Sequence, residues 1–357
     1  PQSQKFVQGR SINLALSVRG IEALKAVGAH LPMVQGGIPM YARMIHVHNG
    51  NKYAIPYGKK HQFILSVERC KMNEHLLQVA DSYDNVTHHF EHKVVKIDLE
   101  NARATCSCNG TTVEVNADLI VGCDGAYSVV RKEMTKRPRF DYSQTYIPHG
   151  YKELRLEPTE GGQYRMEVNY LHIWPKNTFM MIALPNPDCS FTCTLFAPFE
   201  QFDMLTNKEE VFKFFSKQFP DFIDLIGKEN LIKEFFNNPT GPMVSVKGFE
   251  DCLVLDELLE KHNNCIASAL VEYSRVRNPD AEAMCDLAMY NYIEMRSSVN
   301  SKLFLAKKKL YSFLHWLMPN TVIPLYTMVT FSRIPYHTVI ERNKWQDRVC
   351  ITTILLQ

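Results

Sequence analysis

The 357-residue chain has no Cys-x-x-Cys pair, no Gly-x-Gly-x-x-Gly, no P-loop and no Gly-x-Ser-x-Gly elbow. The missing elbow leaves a serine hydrolase unsupported, and the missing glycine motifs remove the commonest nucleotide-binding signatures. Ten cysteines in a chain of this length do not make a disulfide framework, and Cys106 and Cys108 are poorly spaced for a zinc knuckle. They read as free thiols in a reducing compartment. Charge of one sign is not in excess: the net charge is +2 and the pI about 8.1, so no basic surface announces a nucleic acid. The opening PQSQKFVQGR lacks a signal-peptide core, and the closing ITTILLQ falls short of the ~20 apolar residues a spanning helix needs. A cytosol-facing chain is expected.

What is present is an ordinary globular composition, 45% hydrophobic and 22% charged, with apolar mass for a real core. Ser17, the stripe Ile21, Leu24, Val27 and then Gly28 predict a helix with a left-handed cap. A second helix is expected from Glu68, carrying Met72, Leu76, Leu77 and Val79. Between them, 38–65 alternates as strands joined by hairpins, and 86–117 reads as a meander turning at Asn109-Gly110. Residues 146–200 return to strands, a helix follows near 208–218, and from Gly248 onward the pattern is nearly all helical.

Two groups of side chains invite chemistry. His46 with His48, and His88, His89 and His92, have no carboxylate or cysteine in a ligand pattern, so solvated strand or loop histidines are the favoured reading. The sharper feature is DLIVGCDGAYSVVR at 118–131. Its apolar run predicts a strand buried on both faces of a parallel sheet, delivering Asp124 and Gly125 at the edge where open α/β sheets bind ligands. Ser128 would cap the next helix. A turn in which Asp124 only caps that helix is the plainer alternative.

DLIVGCDGAYSVVR resembles the second FAD fingerprint of the class A flavoprotein aromatic hydroxylases. Together with GRSINLALSVRG (9–20), AIPYG (54–58), PRFDYSQTYIPHGY (138–151), MYNYIEMR (289–296) and IPLYTMVTF (323–331), it is similar to the kynurenine-hydroxylating branch of that family over essentially the whole chain. The resemblance implies an α/β fold: a three-layer FAD-binding domain, a β-sheet substrate domain and a C-terminal helical region. It implies FAD reduced by NADPH, a flavin C4a-hydroperoxide formed with O2, and hydroxylation of L-kynurenine at the ring 3-position, with no protein nucleophile.

By the same resemblance, Arg43, Tyr57, Asn291 and Tyr326 contact the amino-acid end of the substrate. The turn at 48–52 permits Arg43 and Tyr57 on adjacent strands, although an arginine on such a strand is more often solvated. Ala15, Arg69, Val94, Asp124, Gly125 and Val129 match flavin contacts, with Val129 where the family has Thr or Ser. The expected domains are 1–36, 65–145 and 248–296 for FAD, 37–64 and 146–247 for substrate, and a helical 297–357.

The family's N-terminal glycine motif and the GDAAHA and GQGMNA segments that precede GFEDC are missing, VSVK at 244–247 running straight into Gly248. A shortened form would bind FAD poorly, and a flavin-less binding protein without catalysis is the alternative. Family members sit on the cytosolic face of the mitochondrial outer membrane through a C-terminal anchor. The lysines and aromatics of 301–318 suit interfacial contact as well as an ordinary packed helix.

Overall fold

The computed structural model describes residues 13–47, 50–58, 62–138, 140, 142, 144–243 and 248–355. His48, the start of the 9–20 motif and the junction at 244–247 lie outside them.

The chain opens with β1 (Asn13–Leu16), α1 (Val18–Ala26) and α2 (His30–Gly36), then β2 (Ile38–Met40), β3 (Ala42–His46), β4 (Lys52–Pro56) and β5 (Ile64–Glu68). α3 (Arg69–Asp81) follows. The meander is β6 (Lys93–Asp98), β7 (Arg103–Cys108) and β8 (Thr111–Asn116). Asn109 and Gly110 both have positive φ at its second turn, which is why that pair is found there.

After the short α4 (Val129–Met134) come β9 (His149–Leu156), β10 (Tyr170–Pro175), β11 (Met180–Pro185) and β12 (Phe191–Pro198). Four helices pack behind them: α5 (Phe199–Asp203), α6 (Lys208–Gln218), α7 (Pro220–Ile226) and α8 (Lys228–Asn237). A last short strand, β13 (Thr240–Pro242), precedes α9 (Phe249–Lys261), α10 (Ile266–Arg296), α11 (Lys302–Leu317), α12 (Leu325–Thr330) and α13 (Tyr336–Leu355). α10 runs through Pro279 without a break.

Three sheets result among the described residues. The largest has seven strands in the order β13-β9-β12-β11-β10-β3-β4. Its β3–β4 hairpin is antiparallel, while β3 pairs in parallel with β10, 120-odd residues away in sequence. One face packs on α5 to α8 through Trp174, Phe191, Phe215, Phe222 and Phe235. The other face carries Ile45, Leu171 and Ile173 toward Tyr326 and Phe331. β1, β5 and β2 make a small antiparallel sheet backed by α1, α2 and α3.

The expectation for 118–123 is overturned. The segment forms no strand and pairs with no neighbour among the described residues, and Val121, Gly122 and Cys123 are exposed. A strand buried on both faces needs partners at both edges, and no described strand pairs with it. Hydrophobicity selects for burial only where a surface exists to bury against.

Candidate active site

Alternation along β3 sends neighbouring side chains to opposite faces of the sheet. Arg43 points toward α10 and is 1% exposed, so the solvated arginine expected of such a strand is not what the fold provides. Its Nη1 donates to Glu294 Oε1 at 2.6 Å, and its Nη2 to Asn291 Oδ1 at 3.0 Å. Burial works against the charge, but Tyr326 and Glu294 outweigh it and hold the guanidinium's pKa above its usual value. The Tyr326 ring lies under the guanidinium, 4.5 Å from its centroid, and stacks on Tyr57 at 5.1 Å.

Tyr57 follows β4 directly and is buried, which pushes its phenol well above the ordinary range. Arg43 Nε and the Tyr57 hydroxyl are both buried without a hydrogen-bond partner. Such atoms are costly unless something supplies the missing partner. Nearby on α11, burial and the charge of Arg43 press the Lys308 ammonium down to about 8.

A cavity of about 220 Å³ opens beside this cluster. Asn291, Glu294 and Tyr326 are among its polar residues, Leu287, Leu325 and Ile64 among its apolar ones, and Ala15 also lines it. The fold therefore brings Arg43, Tyr57, Asn291 and Tyr326 together and adds Ala15 to the same space. Glu294 is the member that sequence reasoning missed. It stands three residues after Asn291, hence on the same helix face, and that spacing could have found it.

The remaining expected flavin contacts lie elsewhere. Arg69 is exposed at the start of α3, and Val94, Asp124, Gly125 and Val129 gather where α4 packs on β6; none of them lines the cavity. Asp124 Oδ2 accepts from the Val129 and Val130 N–H groups at 2.6 and 3.3 Å, and Ser128 caps α4 by accepting from the Arg131 N–H at 2.9 Å. Burial opposes it, yet the Ser128 hydroxyl and those N–H groups hold the Asp124 carboxyl below its ordinary range. Capping, the plainer alternative, is thus what Asp124 does in this structure. Gly125 is left-handed, φ +71°, with open space where a side chain would stand. The turn is exposed to solvent on the side of Asp124.

On the opposite face of β3 the histidine reading also needs correction. His46 is 3% exposed, not solvated, and its ring stacks on Trp174 at 3.9 Å. Its Nδ1 faces Asp221 Oδ2 at 2.7 Å and its Nε2 faces His172 Nδ1 at 2.9 Å, while His172 Nε2 meets the Glu167 carbonyl at 2.7 Å. Burial presses His172 down to about 4. Period-two alternation places His46 opposite Arg43, but nothing local in sequence announces Asp221. His88, His89 and His92 do lie in a surface loop.

Residues 3–219 match the family model described as FAD binding domain. The fold is shared with 2-methyl-3-hydroxypyridine-5-carboxylic acid oxygenase, at TM-score 0.63 and 16% identity over 85% of this chain and 86% of that one. These define an FAD-binding protein on the fold of that oxygenase. Kynurenine 3-monooxygenase of Sus scrofa is 51% identical over 381 residues, covering 98% of this chain and 81% of its own length. That of Anopheles gambiae is 46% identical, covering 99% and 79%. The chain belongs to the kynurenine 3-monooxygenase family of FAD-dependent aromatic monooxygenases.

Proposed function

We propose that the chain hydroxylates L-kynurenine to 3-hydroxy-L-kynurenine, using FAD, NADPH as reductant and O2. The observation that carries this reading is the buried, incompletely satisfied Arg43–Tyr57 pair, which packs against Asn291, Glu294 and Tyr326 on the wall of a mostly apolar cavity. An aromatic amino acid has the matching halves: a ring for the apolar part and an α-carboxylate for the guanidinium. A carboxylate accepts well from a guanidinium fork and from a phenol, and both groups are charged or polar before the ligand arrives. Asn291 and Tyr326 complete the grip on the amino-acid end, and the apolar wall keeps water from the ring.

Bound FAD, reduced by NADPH, supplies the activated oxygen. In this reading Ala15, Arg69, Val94, Asp124, Gly125 and Val129 hold it, Val129 through its backbone alone. The alignment with the pig relative spans more positions than this chain has residues, so that relative carries segments absent here. Weak FAD retention follows if those segments grip the cofactor. The division into 1–36, 65–145 and 248–296 for FAD against 37–64 and 146–247 for substrate draws support from β3 and β4, which join the same sheet as β9 to β13.

The cytosolic face of the mitochondrial outer membrane is the location that goes with this reading. No helix among the described residues is long and apolar enough to cross a membrane. The exposed Leu303, Phe313 and Trp316 of α11, set among lysines, are consistent with a surface contact.

The test is direct. Protein supplied with FAD should retain flavin absorbance near ~450 nm, a property of the cofactor. It should then convert L-kynurenine to the 3-hydroxy product at the expense of NADPH. Protein that retains no flavin and forms no product would instead be a binding protein on the same fold.

A further inference from the structure

Arg19 stands on the inner face of α1 beside Gly20, Ala23 and Leu24, only 4% exposed. A buried guanidinium must find acceptors for its N–H donors. Its Nε donates to the Val329 carbonyl at 2.9 Å and its Nη2 to the Ile334 carbonyl at 2.5 Å. Nη1 reaches both carboxylate oxygens of Glu250, at 2.7 and 2.9 Å. The flat face of the group lies on the Tyr336 ring, 4.0 Å from its centroid.

Two of these partners bring Arg19 to the cavity wall. Val329 and Tyr336 both line the cavity, and Val329 lies on α12 one turn after Tyr326. Its carbonyl belongs to the last turn of that helix, where carbonyls lack a helical donor. Ile334 lies two residues before α13. One guanidinium therefore ties both ends of the connection between α12 and α13, and so fixes the inner face of α12. The anchor behind it is also braced. Glu250 lies 3.7 Å from Arg277, which is paired with Asp251 and Asp280, and Asp280 accepts from the His337 N–H at the start of α13.

We propose that Arg19 is a positioning residue: from α1, without touching the ligand, it sets Tyr326 on α12 against Arg43. The consequence for substrate rests on the kynurenine reading above; the clamp on α12 does not. Lysine at this position keeps a charge for Glu250 but lacks the planar fork that meets two carbonyls and a carboxylate at once.

Hydrogen exchange on the full chain separates positioning from general support. In Arg19→Lys, amides of 325–330 should exchange about tenfold faster while those of 170–198 in the large sheet keep their rates. The KM for L-kynurenine should rise by a larger factor than kcat falls. Glu250→Gln keeps both carbonyl bonds and should loosen 325–330 less than Arg19→Lys does. Unchanged exchange at 325–330, equal acceleration in both segments, or a larger effect from Glu250→Gln would each overturn the proposal. Selective loosening in a protein that does not act on L-kynurenine would uphold the clamp and overturn the substrate reading instead.

Discussion

On the seven-stranded sheet, Arg43 and His46 are buried on opposite faces of one strand, each held by a carboxylate from a helix. Around Asp124 and Gly125 the surroundings are open: Val121 is 56% exposed and Tyr127 88%. Both regions contain residues expected to meet a ligand, yet only the first is built around them before a ligand arrives. The sheet is a closed mould with fixed polar groups, the arrangement that lowers the ordering cost of binding. The turn is an exposed shelf whose fixed feature is a local helix cap.

The largest effect should come from the sheet's own packing. Phe215→Ala removes a fully buried ring between α6 and the sheet and should cost about 3–5 kcal/mol in a denaturant titration. Val121→Ala, a smaller loss of apolar atoms and one made on the exposed shelf, should stay within about 0.5 kcal/mol. Similar losses at the two positions would erase the contrast.

Next in size is the guanidinium itself. Arg43→Lys should weaken L-kynurenine binding almost as much as Arg43→Ala, by roughly 2–4 kcal/mol, because a lysine keeps the charge but not the fork. Titration calorimetry reads this, and unchanged affinity in the lysine variant would remove Arg43 from the site.

The back face of β3 offers a pH handle. His172 titrates near 4 in the fold and near 6.5 when unfolded, so in that interval the unfolded chain binds the extra proton. Its contribution is therefore complete above ~6.5 and is lost as pH falls toward about 4. Between pH 8 and pH 5 the loss should be about 2 kcal/mol, seen as a falling melting temperature. His172→Gln should flatten that slope; an equally steep slope would mean other groups carry it.

How much of this was legible depended on whether the partner was local. Helices α1, α3, α4 and α6, the β3–β4 hairpin and the meander follow from spacing, caps and turn residues, all within one element. The pairing of β3 with β10, the Arg43–Glu294 ion pair and the His46–Asp221 hydrogen bond join residues 120 or more positions apart. No local pattern encodes them. The strand expected at 118–123 failed for the complementary reason: its apolar run was local and real, but the surface it needed was not among the described neighbours. The resemblance brought Arg43, Tyr57, Asn291 and Tyr326 together, while physical reading alone left Arg43 in solvent.

On the shelf, Asp124→Ala should cost about 1 kcal/mol through the lost cap on α4, whether or not flavin is present. A much larger loss confined to FAD-loaded protein would make the turn a cofactor grip first and a cap second.

The measurement that tests the account most directly is the ratio of 3-hydroxykynurenine formed to NADPH consumed, at saturating L-kynurenine, in FAD-loaded parent protein, Tyr57→Phe and Tyr326→Phe. Each variant keeps the ring and deletes one hydroxyl beside Arg43, so substrate should still bind but sit slightly displaced, and displacement of that kind is costly to reaction. The account predicts a lower ratio and more hydrogen peroxide in both variants than in the parent. A parent-like ratio in both would contradict it, because the hydroxyls of this mould would then have no part in placing the ring.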